Sequence, residues 1–492
     1  MNTINRPSEA IKVKNFIKGT WTEPSGEEMG IDSPYFGDTI GTVKLSTQAD
    51  VEAAVAHAKE AFPAWKATPL KERTQIMFRF RDILHRDIDK ISQTISVENG
   101  KTLGESKAEI MKGIEVLEYA ISLQNKDMGG SMEVSRGVQC EYRRDPLGVI
   151  ANITPFNFPA MVPMWTIPIA LTLGNCYVWK PSEKTPITAI AIADALKEAG
   201  LPDGVFSVVQ GAREAVESII DHPDVKAIGF VGSSKIAKIV YQRGTNLGKR
   251  VLALGGAKNH IILLPDADPV MAGAGISDSF TGCAGQRCMA ASVLLAVGDT
   301  DQQIQKIVER AKSQTLGESM GAIITKEQVE FLNGAIERAV KEGATILLDG
   351  RLASKPSGMD NGFWLGPTIL DNVQPGSEAA TFELFGPILS IIRAKNITEA
   401  MDIENSVEYG NACSVFTDSG ALAEEVVKRA SAGMIGVNIG VPVPREPFSF
   451  GGINFSKFGY GDITGDHSLN FWSDVKKVTT KWQMQKDANW MS

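Results

Sequence analysis

Residues 176–200 read CYVWKPSEKTPITAIAIADALKEAG and contain the pattern that decides the fold. The apolar run Cys176–Lys180 predicts a buried strand, and Ile187–Ala199 has the apolar spacing of a helix. Strand-like and helix-like segments alternate in this way throughout residues 148–254. Such strict alternation predicts a parallel sheet covered by helices on both faces. A ligand of this sheet would lie beyond the carboxyl ends of its strands.

The pattern extends in both directions from this stretch. Residues 49–124 have helical periods, and the first helix is predicted to end near Pro63. Residues 267–432 alternate again, which predicts a second α/β unit of about the same size. Segments 133–146 and 474–482 alternate apolar and polar residues outside both units, so we expect strands that pair with each other or with another subunit. The expected fold class is therefore α/β, with two Rossmann-like parallel-sheet domains plus a small hairpin.

The composition excludes several classes of protein. A length of 492 residues fits two large domains, and a net charge of −8 argues against nucleic acid or an anionic membrane as the main partner. No segment approaches the roughly 20 apolar residues of a membrane span, and the first residues lack the apolar core of a signal peptide. The five cysteines form no CxxC pair, so we expect no metal site and a reducing, cytoplasmic location.

The stretch FTGCAGQRCMA, residues 280–290, carries a candidate nucleophile. Cys288 follows Arg287, and a guanidinium together with nearby backbone N–H groups would favour a reactive thiolate. The alternative is that Cys288 is a small buried apolar residue, as most free cysteines are. This stretch alone does not favour either interpretation of Cys288.

Two further strings carry candidate polar groups. In TPFNFP, residues 154–159, two prolines fix the chain around Asn157, whose amide could stabilise an oxyanion or could belong to an ordinary turn. In KPSE, Lys180 and Glu183 follow a strand and could hold a ribose or form a solvated strand end. Both strings follow strands of the first predicted sheet.

Three more motifs follow later in the chain. FVGSSKIA places Ser233 at a strand-to-helix turn that could bind an anion or be an ordinary capped turn. LALGGAKNH permits close backbone approach at Gly255. Its His260 could act as a base, although a single histidine after a strand more often has a structural role. ELFGP places Glu383 at a turn, where it could equally be a surface acid.

The strings PFNFP, KPSE, VGSS, LALGGAKNH, GQRC and ELFGP occur in this order, which resembles the aldehyde dehydrogenase superfamily over nearly the whole chain. GGAKNH, GQRCMA and SKFGYGD look like its methylmalonate-semialdehyde dehydrogenase branch. The resemblance implies an NAD-binding domain (1–132 and 147–256), a catalytic domain that carries the nucleophilic cysteine (257–450), and an oligomerisation hairpin and tail (133–146 and 460–492). It also implies a homo-oligomer, either a dimer or a tetramer.

The resemblance implies a role for each candidate. Cys288 would attack the aldehyde, and Asn157 with the Cys288 backbone N–H would hold the oxyanion. The residues implied to contact NAD are Thr154, Phe156, Lys180, Glu183, Lys184, Ser233, Gly255 and Glu383. NADP stays open as the cofactor, because Glu183 would repel a 2′-phosphate whereas Lys180 and Lys184 would attract it.

Departures from the family pattern refine the expected activity. Hydrolytic members carry a glutamate where this chain has Ala253. Water has a pKa near 15.7 and needs such a base to attack the thioester. A thiol has a pKa of about 8.5 and needs the base far less. We therefore expect coenzyme A to accept the acyl group. Alternatives are a hydrolytic NAD(P)-dependent enzyme that gives a carboxylic acid, and a non-catalytic structural or binding protein on this fold.

Two cations are expected to select the substrate. Arg287 could pair with a substrate carboxylate, or could only hold its own loop. The methylmalonate-semialdehyde branch usually adds a second arginine, and here Lys112 stands in its place. The implied reaction is oxidation of malonate or methylmalonate semialdehyde, with acyl transfer to coenzyme A and decarboxylation to acetyl-CoA or propionyl-CoA.

Overall fold

A computed structural model describes residues 4–126 and 128–482 of the chain. The elements before residue 147 are β1 (Ile11–Val13), β2 (Asn15–Ile17), β3 (Thr20–Thr22), β4 (Glu28–Asp32), β5 (Thr39–Lys44), α1 (Gln48–Ala67), α2 (Leu70–Arg86), α3 (Ile88–Asn99), α4 (Leu103–Ser122), β6 (Gly129–Ser135) and β7 (Val138–Pro146).

The elements of the next block alternate between strands and helices. They are β8 (Val149–Ile153), α5 (Met161–Met164), α6 (Ile167–Thr172), β9 (Cys176–Lys180), α7 (Thr188–Glu198), β10 (Phe206–Val208), α8 (Arg213–Asp221), β11 (Val225–Val231), α9 (Ser234–Asn246) and β12 (Arg250–Leu254).

The last block alternates in the same way. Its elements are β13 (Asn259–Leu263), α10 (Pro269–Thr281), β14 (Ala291–Val297), α11 (Asp301–Lys312), α12 (Lys326–Lys341), β15 (Thr345–Leu348), β16 (Thr368–Asp371), α13 (Glu378–Thr381), β17 (Ile388–Ala394), α14 (Ile397–Asn405), β18 (Ala412–Phe416), α15 (Gly420–Arg429), β19 (Met434–Val437), β20 (Lys457–Phe458), α16 (Gly465–Phe471) and β21 (Ser473–Lys481).

The first large sheet has the strand order β20-β12-β11-β8-β9-β10-β2-β3. Its five central strands, β12 to β10 in that order, pair in parallel, and antiparallel strands close both edges. Strands β8 and β9 are buried along their whole length, which explains their uninterrupted apolar sequence. The expectation of a parallel sheet covered by helices is confirmed for this part of the chain.

The second large sheet has the order β15-β16-β17-β14-β13-β18-β19, in which β15 alone pairs in antiparallel fashion. The predicted second α/β unit is therefore confirmed. Three of its strands, β13, β16 and β19, were not predicted. Strand β13 lies near the middle of the sheet and starts with Asn259 and His260, two polar residues that obscure its apolar run.

The hairpin of β6 and β7 forms a third sheet with β21. Strand β21 pairs antiparallel with β7 from Ser473 opposite Pro146 to Lys481 opposite Val138. The two segments outside the large sheets thus pair with each other within one chain. The hairpin begins at Gly129, before the predicted residue 133, and residues 483–492 of the predicted tail lie outside the described residues. A small fourth sheet has the order β1-β5-β4.

The predicted end of the first helix near Pro63 is wrong. Helix α1 continues through Pro63 to Ala67. Pro63 is exposed, and the last turn is anchored by the fully buried Trp65. Among the described residues, no helix is long and apolar enough to cross a membrane.

Candidate active site

The loop that carries Cys288 has an unusual backbone. Cys283, Ala284 and Gly285 have φ angles of 53°, 51° and 69°, so three successive residues adopt the left-handed region. A side chain at Gly285 would place its Cβ 2.2 Å from the carbonyl oxygen of Gly386. Such backbone persists only where the surroundings fix it, and here the ELFGP loop packs directly against the turn.

Two asparagines fix the end of this loop. Asn259 and Asn411 both donate from Nδ2 to the Cys288 carbonyl oxygen, at 2.6 and 2.9 Å. Asn259 also donates to the Ala290 oxygen at 2.9 Å. The sequence reasoning missed both residues, although Asn259 stands beside His260 in the GAKNH string. Together they hold the backbone that positions the half-buried Cys288 thiol.

The Cys288 thiol is less acidic than the sequence suggested. Burial raises the pKa of Cys288 to about 12, and the negative charge of Glu383 adds to the rise. The Arg287 charge lowers this pKa, but by less than burial raises it. The guanidinium and the backbone N–H group thus favour the thiolate as expected, but burial outweighs them.

The raised pKa predicts how fast Cys288 is alkylated. Without NAD, the iodoacetamide reaction should accelerate about tenfold per pH unit between pH 6 and 9, because only the thiolate reacts. The measurement is the rate of modification of the peptide that contains Cys288, followed by mass spectrometry. A rate that levels off below pH 8 would contradict the structure. Cys140, which is partly exposed in the hairpin, provides an internal comparison in the same digest.

Asn157 lies against the nucleophile loop, as the predicted pairing requires. Its Nδ2 donates to the Gln286 oxygen at 3.0 Å, and the residue is buried. The loop that carries it is fixed by Asn99, which donates to the Phe156 oxygen at 2.8 Å, and by Glu109, which accepts from the first N–H groups of α5. An amide held this firmly is suited to donate to a developing oxyanion.

A cleft of about 630 Å³ opens at the carboxyl ends of the first sheet. Six of the eight predicted cofactor residues line it: Thr154, Phe156, Lys180, Glu183, Lys184 and Ser233. Gly255 and Glu383 are not among the residues that line this cleft. The position at the strand ends agrees with the location expected for a nucleotide.

Polar groups inside the cleft are held in place by the fold. The Lys180 side chain is 5% exposed, and its Nζ donates to the Gly211 oxygen at 2.9 Å and reaches Glu183 at 3.3 Å. Burial lowers the pKa of Lys180. The Lys184 Nζ lies 5.2 Å from the centre of the Phe156 ring. A lysine and a carboxylate at this edge can both bond to ribose hydroxyls.

Ser233 precedes the first residue of α9, and its side chain makes no capping hydrogen bond. Its hydroxyl and the first N–H groups of this 13-residue helix therefore remain available to an anion in the cleft. This donor set, together with the Lys180–Glu183 pair, fits the pyrophosphate and ribose of a dinucleotide.

Glu383 is held beside the glycines of the LALGGAKNH string. Its Oε1 accepts from the Ala257 N–H at 2.9 Å, and a Cβ on Gly256 would come 2.2 Å from its Oε2. The buried Lys258 donates to the Phe382 oxygen at 2.8 Å. Burial raises the pKa of Glu383 to about 7 and lowers that of Lys258 to about 7. The sequence reasoning did not single out Lys258.

Gly255 and His260 have structural explanations. A Cβ on Gly255 would lie 2.5 Å from the Ser234 Oγ and 2.7 Å from the Phe455 oxygen, so the packing itself requires glycine. His260 is buried in β13, and burial lowers its pKa to about 3. A neutral histidine within a central strand agrees with the structural alternative rather than with a base.

The chain is similar to known proteins over nearly its whole length. The sequence profile described as "Aldehyde dehydrogenase family" matches residues 21–478. This chain belongs to the aldehyde dehydrogenase family. Malonate-semialdehyde dehydrogenase 3 of Geobacillus kaustophilus (strain HTA426) is 40% identical over 485 residues, which are 97% of this chain and 100% of the relative. Malonate-semialdehyde dehydrogenase of Lacticaseibacillus casei is 40% identical over 96% of this chain and 98% of its own.

Solved structures of other aldehyde dehydrogenases superpose closely on this one. Methylmalonate-semialdehyde dehydrogenase (DddC) from Oceanimonas doudoroffii has a TM-score of 0.94 and 38% identity, and covers 96% of this chain and 99% of its own. Betaine aldehyde dehydrogenase from Staphylococcus aureus in complex with NAD+ has a TM-score of 0.90 and 26% identity, with coverages of 98% and 97%. The predicted family and the predicted aldehyde dehydrogenase fold are confirmed.

The two predicted substrate residues of this aldehyde dehydrogenase differ in their surroundings. Arg287 Nη2 donates to the carbonyl oxygens of Asp278 and Ser279 at the end of α10, while its Nε is buried and has no partner among the described residues. Lys112 forms ion pairs with Glu115 at 3.0 Å and with Glu446 at 3.2 Å. Arg287 therefore keeps an unpartnered buried donor in the residue that precedes the nucleophile, whereas the charge of Lys112 is already paired with two carboxylates.

Proposed function

We propose that this chain is an NAD-dependent dehydrogenase of malonate or methylmalonate semialdehyde that transfers the acyl group to coenzyme A. The observation that carries the proposal is Ala253, a fully buried methyl side chain in β12 where hydrolytic members of the family hold a base. The names of the curated relatives support the same substrate class.

Cys288 and Asn157 would perform the oxidation. The Cys288 thiolate would attack the aldehyde carbon, and the Asn157 Nδ2 and the Cys288 backbone N–H would donate to the resulting oxyanion. NAD, when bound in the cleft, supplies the acceptor for the hydride. Collapse of the tetrahedral adduct would leave a thioacyl group on Cys288.

Coenzyme A would release the acyl group. With Ala253 in place of a carboxylate, water has no base at this position, whereas a thiol is already partly ionised near neutral pH. For malonate semialdehyde, the balanced reaction consumes one NAD and one coenzyme A and gives acetyl-CoA, carbon dioxide and NADH. Methylmalonate semialdehyde would give propionyl-CoA in the same way.

Arg287 would recognise the substrate carboxylate. Its unpartnered Nε–H is a buried donor beside the nucleophile, and a carboxylate would satisfy it with a charge-assisted hydrogen bond. Lys112 was expected to assist, and its two ion pairs reduce the charge that it can offer.

We further propose NAD rather than NADP, because the Glu183 carboxylate at the edge of the cleft would repel a 2′-phosphate.

The proposed division of the chain keeps 1–132 and 147–256 as the cofactor domain and 257–450 as the catalytic domain. A homo-oligomer would use the hairpin sheet, in which β6 is an edge strand among the described residues. A cytoplasmic location is supported by five free thiols.

One observation favours the hydrolytic alternative. Glu383, with a pKa raised to about 7, interacts electrostatically with Cys288 and could act as a base in place of the missing glutamate. A hydrolytic enzyme of this kind would release a carboxylic acid and would not require coenzyme A.

The experiment that separates these functions is steady-state NADH formation from malonate semialdehyde, with and without coenzyme A. We expect turnover that depends on coenzyme A and yields acetyl-CoA in a one-to-one ratio with NADH. Equal steady turnover without coenzyme A would reject acyl transfer and favour Glu383 as the base.

A further inference from the structure

Four charged side chains form a closed cluster between α4 and the segment 438–450. Lys112 pairs with Glu115 and Glu446, and Arg445 lies 3.7 Å from Glu115. The Glu446 side chain is 7% exposed, whereas Arg445 is 81% exposed. A carboxylate as buried as that of Glu446 requires a cation, and Lys112 is the cation that it contacts. The two positive and two negative charges of this cluster sum to zero.

Helix α4, which carries Lys112 and Glu115, packs against the segment that follows Asn157. Gly113, beside Lys112, packs against Met164 so closely that a Cβ would come within 3.0 Å of it. One turn earlier on α4, Glu109 accepts from the first N–H groups of α5, the helix that follows Asn157.

The segment 438–450, which carries Arg445 and Glu446, is tied to the nucleophile loop. Its Val441 and Val443 pack against the same apolar core as Cys288. Ser279, at the end of α10, donates to the Gly440 oxygen at 2.6 Å and accepts from the Ala291 N–H at the start of β14. Glu446 therefore reaches Lys112 from a segment that is tied to the nucleophile loop.

We propose that Glu446 determines substrate specificity by neutralising Lys112, so that a single cation, Arg287, recognises the substrate carboxylate. This inference rests on the proposed function and deepens it. An aldehyde without a carboxylate then loses only one favourable contact relative to malonate semialdehyde. The enzyme should accordingly accept small uncharged aldehydes, such as propanal, beside acidic semialdehydes.

The test is the ratio of kcat/KM for malonate semialdehyde to kcat/KM for propanal, which has the same number of carbon atoms. The isosteric substitution Glu446→Gln removes the negative charge and leaves the cluster with one net positive charge. We expect it to raise the ratio about tenfold, the usual order of the effect of one partly screened charge. The double variant Glu446→Gln/Lys112→Met should lose this gain. Glu424→Gln on α15 is the matched control, because Glu424 is exposed and pairs with Lys428 on its own helix.

A ratio that stays unchanged or falls in Glu446→Gln would overturn the proposal, as would a gain that persists in the double variant. If the wild type oxidises only propanal, new turnover of malonate semialdehyde in Glu446→Gln supports the proposal, and its absence overturns it. The proposed function fails separately, through turnover of the wild type that is independent of coenzyme A.

Discussion

Replacement of Cys288 by alanine should lower NADH formation from malonate semialdehyde by about four orders of magnitude or more. The thiolate is the group that forms the covalent bond, and neither Asn157 nor Arg287 can replace it. The measurement is the rate of NADH formation at saturating NAD, coenzyme A and aldehyde. Binding of NAD, measured by calorimetry, should persist because Cys288 does not line the cleft described above.

The matched control for this substitution is Cys140→Ala. Cys140 lies in β7 of the hairpin and is partly exposed, with its Sγ 3.4 Å from the Thr479 Oγ1. This variant should keep full activity. If Cys288→Ala retained more than a few per cent of the wild-type rate, Cys288 could not be the nucleophile.

Replacement of Asn157 by alanine should lower kcat about 10²–10³-fold, the usual cost of removing one oxyanion donor. KM for the aldehyde should change little, because the amide is expected to act on the charge that develops after attack. Stopped-flow measurement of the NADH burst reports this step directly.

The Asn157→Ala variant also loses the bond to the Gln286 oxygen, so a structural effect must be separated from the catalytic one. Asn157→Asp keeps the shape of the side chain but also lacks this donor, so the NAD affinity of both variants, measured by calorimetry, is the separate report of a structural effect. Both variants should slow the burst, and Asn157→Asp should slow it more because its carboxylate would repel the oxyanion. A fast burst in Asn157→Asp would show that the amide donor is not required.

The sequence pattern predicted those parts of the fold in which local periodicity and burial agree. Strand β9 matches the prediction at both ends because it is apolar throughout and bounded by turn residues. Strand β13 was missed because it opens with Asn259 and His260, two polar residues that become buried only in the folded protein. The course of α1 through Pro63 likewise depends on which face of the helix is exposed.

The site was predictable where motifs mark it and unpredictable where distant residues meet. Asn157 and the residues of the cleft were named from local strings. The pairing of Lys112 with Glu446 joins positions 334 residues apart, and nothing local indicates it. The effect of the Arg287 guanidinium on the Cys288 pKa was predicted in direction, but the larger opposing effect of burial was not, because burial is a property of the folded chain.

The most direct test of acyl transfer through Cys288 is a rapid-mixing experiment without coenzyme A, followed by its addition. Enzyme mixed with NAD and malonate semialdehyde should form about one NADH per active site and then stop. Mass spectrometry should find the acyl group on the Cys288 peptide, and added coenzyme A should remove it as acetyl-CoA. Continued NADH formation without coenzyme A, or an unmodified Cys288 peptide after the burst, would contradict the proposed mechanism.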